Sequence, residues 1–291
     1  MSHKSAIQDI LDMDLAVSAE NGDVVLVSQL LSLGANPMAM DSRPLRLAAK
    51  GGSIACVETL LPVSNPKAES SHALQLASKN GHTACVKLLI PASDPTADYS
   101  LAVRWAAERG HLECVELLIP VSNLRDDSRP LSIAAENGHA ECVKLLIPAS
   151  KPKSCNSQAL WSAAREGHAR CVELLAPVSD PVVDDSRALR AAALNGHISC
   201  VKLLIPISHA LSRNPRPFIE AIDGGQAGVV AWMLDHEPSL CSLIDFSLMQ
   251  ARAVDRGHCE LATLFASILD SRALSDSLPL LQTESPPAMR L

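Results

Sequence analysis

Apolar residues along this chain fall in short helical stripes that recur at a fixed interval. Residues 71–95 show one unit: Leu74, Leu76 and Ala77, a glycine at 81, then Cys85, Val86, Leu88 and Leu89 with Lys87 facing water, and finally Pro91. Spacings of three and four predict helices with one buried face. The wording Gly-(Ser/His)-x-x-Cys-Val-x-x-Leu returns six times. Its cysteines, at Cys56, Cys85, Cys114, Cys142, Cys171 and Cys200, are 29, 29, 28, 29 and 29 residues apart. A fixed period in this range signals a solenoid of stacked units. Each unit reads as helix, tight turn, helix and extended loop.

The ends of these helices have their own markers. Ser42, Ser71, Ser100, Ser128, Ser157 and Ser186 precede the first helix of successive units. There a serine is expected to cap by accepting a free backbone N–H. Pro44 and Pro130 fit the first helical turn, where a missing donor costs nothing. Gly52, Gly81, Gly110, Gly138, Gly167 and Gly196 end the first helix, because glycine enters the left-handed region cheaply. Pro91 is expected to stop the second helix. Small pairs such as Ala48-Ala49 and Ala106-Ala107 let helices approach closely. Helices this short are marginal in isolation, so stacking must supply most of the stability.

Two stretches carry a family likeness. Residues 42–49, Ser-Arg-Pro-Leu-Arg-Leu-Ala-Ala, resemble the Thr-Pro-Leu-His-x-Ala-Ala signature of ankyrin repeats. Residues 80–89, Asn-Gly-His-Thr-Ala-Cys-Val-Lys-Leu-Leu, resemble its Gly-His-x-x-Val-Val-x-Leu-Leu half, and Asn21-Gly22-Asp23 with Leu30 to Pro37 repeats the likeness. The resemblance implies an all-α, ankyrin-like solenoid of nine helix pairs. Its expected parts are an N-terminal capping pair (1–37), six regular units (38–209), a divergent unit with a C-terminal capping unit (210–270), and a disordered tail (271–291). Ankyrin units run near 33 residues, so the 29-residue period implies that the connecting β-hairpin finger is reduced to a short loop. Residues 123–127 lose one more residue, which gives the single spacing of 28. Leucine-rich repeats match the period but need alternating leucines on a strand and an asparagine ladder, which this chain lacks.

Composition narrows the picture. Aromatics are 2% of the 291 residues and apolar residues 47%, so the core is aliphatic and alanine-rich. A net charge of −7 lacks the footprint of a nucleic-acid binder. No run of 18 apolar residues is present, and residues 1–14 do not follow the secretory pattern. Nine cysteines in such a chain read as reduced thiols in the cytoplasm.

The pairs His82/Cys85, His111/Cys114, His139/Cys142, His168/Cys171 and His197/Cys200 raise the question of metal. Each unit offers two ligands, whereas a structural zinc needs four. The structural reading has the histidine hydrogen-bonding locally after the turn glycine and the cysteine acting as a small hydrophobe. Cys155, read in a loop, and Cys241, read in an irregular segment, are the candidates for exposed thiols; His3, His72, His209 and His236 read as solvated. No phosphate-binding or hydrolase motif is present, so no catalytic residue and no cofactor is assigned.

The resemblance implies partner binding through the end of the first helix and the loop tips. The matching positions are Arg46, Gln75, Arg104, Trp161 and Arg190 within the first helices, and Lys50, Lys79, Glu108, Arg109, Glu136, Arg165 and Glu166 at their ends. Asp98, Tyr99 and Asp127 stand in the loops. The expected function is a non-catalytic, monomeric scaffold that binds a protein or peptide, with no nucleic-acid or membrane partner. A narrower form is a bacterial effector delivered into a host cell. The alternative is a thiol- or metal-dependent site carried on the array.

Overall fold

The computed structural model describes residues 3–125, 127–208 and 214–281. Among them are nineteen α-helices and no strand. They run as α1 (His3–Asn21), α2 (Val24–Ser32), α3 (Ala39–Gly51), α4 (Ile54–Leu60), α5 (Ala68–Lys79), α6 (Thr83–Leu89), α7 (Ala97–Arg109), α8 (Leu112–Leu118), α9 (Arg129–Glu136), α10 (Ala140–Leu146), α11 (Ser154–Glu166) and α12 (Ala169–Leu175). They continue as α13 (Val183–Leu194), α14 (Ile198–Ser208), α15 (Arg216–Asp223), α16 (Ala227–His236), α17 (Leu240–Leu243), α18 (Phe246–Asp255) and α19 (Cys259–Leu281). The helices form an antiparallel-pair solenoid of the kind expected.

Contacts divide the chain into two compact bodies, Met1–Ala163 with Glu173–Ser179, and Ala164–Val172 with Asp180–Leu291. In the first, the first helices of the units, α1, α3, α5, α7 and α9, pack in sequence order, and the second helices, α2, α4, α6, α8 and α10, form a parallel row. Leu45, Ala48 and Ala49 of α3 and Cys56, Val57 and Leu60 of α4 are fully buried, and their equivalents are buried in the pairs from α5–α6 to α13–α14. Burying one leucine or valine contributes about 1.5–3 kcal/mol. The second body adds an aromatic cluster, with Phe218 and Phe246 each meeting Phe265 at ring-centroid distances of 6.3 and 6.1 Å.

The connecting finger is replaced by a single left-handed turn. In α3, Met40, Asp41 and Ser42 have φ of 49°, 57° and 57° with ψ of 52°, 51° and 42°. Glu69 to Ser71, Asp98 to Ser100 and Asp184 to Ser186 repeat this conformation. None of these residues is glycine, and the left-handed helix costs roughly 1–2 kcal/mol per L-residue. Specific bonds offset that cost. Ser42 Oγ accepts the Asn65 N–H at 2.8 Å, and Ser71 Oγ accepts the Asp94 N–H at 2.8 Å. The expectation that these serines cap their own helices is therefore corrected. Ser42 and Ser71 lie inside the element, buried, and receive a donor from the loop that follows the next short helix, whereas Ser128 stands just before α9 without a capping bond. In the first unit Asp12 takes this place, accepting the Asn36 N–H at 2.6 Å, and α1 runs straight.

Two helix boundaries also differ from expectation. The proline of the repeat ends most second helices, but α14 runs past Pro206 to Ser208. Helix α19 extends to Leu281, through the first part of the segment expected to be disordered. Residues 282–291, His209 and Asp126 lie outside the described residues.

Candidate partner-binding surfaces

The repeated histidine does more than follow its glycine. His82 Nε2 lies 2.9 Å from Lys50 O, His111 Nε2 3.1 Å from Lys79 O, and His139 Nε2 3.0 Å from Glu108 O. Each ring reaches back to a carbonyl at the end of the preceding unit's first helix, which would otherwise lack a partner. The bond is therefore between units, not local as expected. The same ring sits on the turn glycine. A Cβ at Gly52 would stand 2.5 Å from His82 Nδ1, and one at Gly81 2.6 Å from His111 Nδ1.

The repeated cysteines are sealed. Burial pushes the Cys85 and Cys114 thiols up, and raises Cys142 and Cys200 to about 11. A thiol that stays protonated at neutral pH is a poor nucleophile and a poor ligand. Among the described residues, no three His, Cys, Asp or Glu side chains come together to hold a metal ion. Cys155, read as a loop residue, lies in a left-handed turn of α11 and is exposed. Cys241 sits on the single turn α17, half-buried, and Cys259 at the start of α19 is exposed.

Arg46, Gln75 and Arg190 form a ladder that ties each first helix to the start of the next unit. Arg46 pairs with Glu69 of the following turn and donates to Met40 O at 2.7 Å. Gln75, buried, donates to Ser70 O at 2.8 Å and to Asp98 Oδ2 at 3.2 Å. Arg190 pairs with Glu220 at 2.6 Å. These residues brace the backbone rather than stand free. Arg104 Nε, like Arg46 Nε, is buried with no hydrogen-bond partner among the described residues.

The loop candidates do meet. Asp98, Tyr99 and Asp127 line one cleft of about 730 Å³ with Thr96, Ser100, Asn123 and Arg129. Tyr99 is 76% exposed. The Arg129 guanidinium stands 4.9 Å from its ring centroid and bonds Asp127 through Nε (2.7 Å) and NH2 (3.0 Å). That two-fold bond holds the guanidinium protonated, its pKa raised above the usual arginine value. Arg129 is not among the residues that the sequence singles out: the repeat register pairs Tyr99 with Asp127, and Arg129 with Leu101.

A second cluster lies on the faces of α5 and α7. The half-buried Trp105 ring is 6.3 Å from the His72 ring, and Lys79 Nζ lies 4.6 Å from the Trp105 centroid. Periodicity places Trp105 with Leu47 and Leu76 as apolar, but all three sit at the edge of the buried stripe. The other candidates are dispersed. Lys50 pairs with Glu20 at 2.8 Å, Arg109 with Glu108 at 3.7 Å and Arg165 with Glu166 at 2.6 Å. Glu136 is exposed at the end of α9 and Trp161 is half-buried on α11.

The family model for ankyrin repeats matches three times, over residues 15–101, 103–185 and 160–245. The chain belongs to the ankyrin-repeat family. No curated protein matches it. Among solved structures it is similar to the human ASB11 ankyrin repeat domain, at 22% identity and a TM-score of 0.57, over 65% of this chain and 96% of that one. At that identity the likeness shows the ankyrin fold alone. Ankyrin repeats generally mediate protein–protein interaction. No helix among the described residues is long and apolar enough to cross a membrane.

Proposed function

We infer that this ankyrin-repeat protein is a non-catalytic, monomeric interaction module that binds a protein or peptide through the first body. The observation that carries the reading is the cleft at the short unit, where Tyr99 is exposed and backed by the Arg129–Asp127 pair. Aromatic and arginine side chains dominate binding hot spots. Trp105, with Lys79 and His72 around it, supplies a second anchor on the first-helix face. The net charge of −7 favours a protein over a nucleic acid as partner. The same reading places the protein in the cytoplasm, and its narrower form is an effector acting inside a host cell.

Affinity capture from lysate with the natural chain and with Tyr99→Ala/Trp105→Ala tests this. Losing a hot-spot aromatic costs about 2 kcal/mol or more. The variant should therefore retain less than about a tenth of each specific partner. An unchanged set of captured proteins sinks the reading.

A further inference from the structure

Helix α1 carries an apolar stripe on the side away from the core. Ile7, Ile10, Met13 and Val17 are 49–60% exposed, while Leu15, Ala16 and Ala19 on the opposite side are buried. At about 100° per residue, the four exposed side chains fall within an arc of about 120°. Asp9 and Glu20 flank the stripe on one edge, and Asp14 falls within it, about 20° from Ile7. On α2, Leu26 is 39% exposed. It stands four residues after the turn glycine, where later units place the repeated cysteine. That position is normally covered by the preceding unit, as the 3.6 Å contact of Cys114 Sγ with Thr83 Oγ1 shows. Likewise Asp14, exposed, stands where α3 has the buried Pro44. End units of solenoids normally present a polar outer face. This one presents apolar side chains, and of these Leu26 stands at a position that, further along the stack, is covered by the preceding pair.

Charge selects the occupant. Between Lys4 and Arg43 there is no lysine or arginine, whereas Asp9, Asp12, Asp14, Glu20, Asp23 and Asp41 are acidic. Of these, Glu20 is paired with Lys50 and Asp12 is buried in its backbone bond. A second copy of this chain would set the same acidic rim against itself, and an anionic lipid surface would be repelled too. We propose that the outer face of α1 and α2 docks a basic amphipathic helix from a partner protein, its apolar side on Ile7, Ile10 and Val17 and its cations along Asp9 and Asp14. Helix-in-groove recognition of this kind reads apolar anchors at helical spacing. This surface is separate from the Tyr99 cleft and does not depend on it.

The probe is a labelled synthetic Leu/Lys peptide of about 18 residues, long enough to form an amphipathic helix. Its controls are a same-composition peptide shuffled to have no apolar face and a Leu/Glu version. Fluorescence anisotropy against the full chain should show saturable binding of the Leu/Lys peptide alone. Ile10→Lys/Val17→Lys should weaken it at least about tenfold, as should raising salt to about 0.5 M, where screening shortens to a few ångströms. Asp9→Lys/Asp14→Lys, which leaves the apolar stripe intact, should weaken the Leu/Lys peptide and admit the Leu/Glu peptide. Tyr99→Ala should change neither. Equal binding of the shuffled peptide, or undiminished binding by both double variants, overturns the proposal. So does a dimer in light scattering that Ile10→Lys dissolves, since a second copy would then be the occupant.

Discussion

The turns at Ser71 and Ser128 belong to units with nearly the same second helix, yet they are built differently. Around Ser71, three non-glycine residues make a left-handed turn, and the serine hydroxyl receives the Asp94 N–H. The unit of 28 is one residue shorter. Its first helix, α9, starts at Arg129 with Ser128 at φ −86° and spans 8 residues against 12 in α5. Ser128 makes no capping bond there. Asp127 bonds Arg129, and the cleft beside Tyr99 lies at this point. A single deletion thus exchanges a brace for an opening. Regularity in this stack is maintained by strained turns, and the binding candidate lies where one of them is missing.

Five measurements would break or sharpen this contrast. The largest effect belongs to the glycine common to both kinds of unit. Gly81→Ala places a Cβ 2.6 Å from His111 Nδ1 at φ +74°, so urea unfolding should show a loss of about 3 kcal/mol. Gly257→Ala, at φ +76° with nothing within 4 Å, should cost only the backbone term of about 1 kcal/mol. Equal losses at the two sites would remove the role assigned to the ring.

Next comes the serine comparison. Ser71→Ala orphans the Asp94 N–H and should cost about 1–2 kcal/mol, while Ser128→Ala should change stability by less than about 0.5 kcal/mol. Matching values would mean that the shortened turn is braced in the same way as the regular one.

The column of thiols, shared by regular and short units, predicts a pH limit. Cys142 and Cys200 have folded pKa values near 11, raised from 9.0. The stability they contribute is fully present below the unfolded value and is lost as pH rises through the folded one. Urea midpoints should therefore fall between about pH 9 and 11, and less so in Cys142→Ala/Cys200→Ala. Alkylation at pH 7.5, followed by mass spectrometry, should label Cys155 and Cys259 well before any of the six.

The smallest effect has the opposite sign. Ser70→Gly removes the left-handed penalty at an exposed residue with φ 56°, and should stabilise the chain by up to about 1 kcal/mol. Destabilisation would show that the turn is not strained.

The sequence marks some of these features and hides others. The period, the turn glycines and the buried Cys-Val-x-x-Leu stripe follow from local spacing, so the helix pairs could be read directly. Ser71 could not. A serine ahead of an apolar run carries the signature of a cap, and only the packed loop of the next unit shows where its hydroxyl goes. Glu69, Ser70 and Ser71 carry no glycine or asparagine to announce a left-handed turn, because tertiary bonds impose it. Trp105 was hidden for another reason. Periodicity separates buried from exposed faces but does not resolve the edge between them, where that ring lies. Asp98, Tyr99 and Asp127 were legible as loop residues, but their convergence depends on a backbone conformation that spacing does not encode.

The bonds from His82, His111 and His139 to the units before them give the array a direction. Each first helix is closed off by a ring that arrives one unit later, so no unit in this row is complete until its successor has folded. Cutting units from the downstream end leaves the last helix with an unfinished terminus, whereas cutting from the upstream end frees only a side chain that water can serve. A chain emerging N-terminus first would carry one unsealed carbonyl at its growing edge, passed from unit to unit as synthesis proceeds.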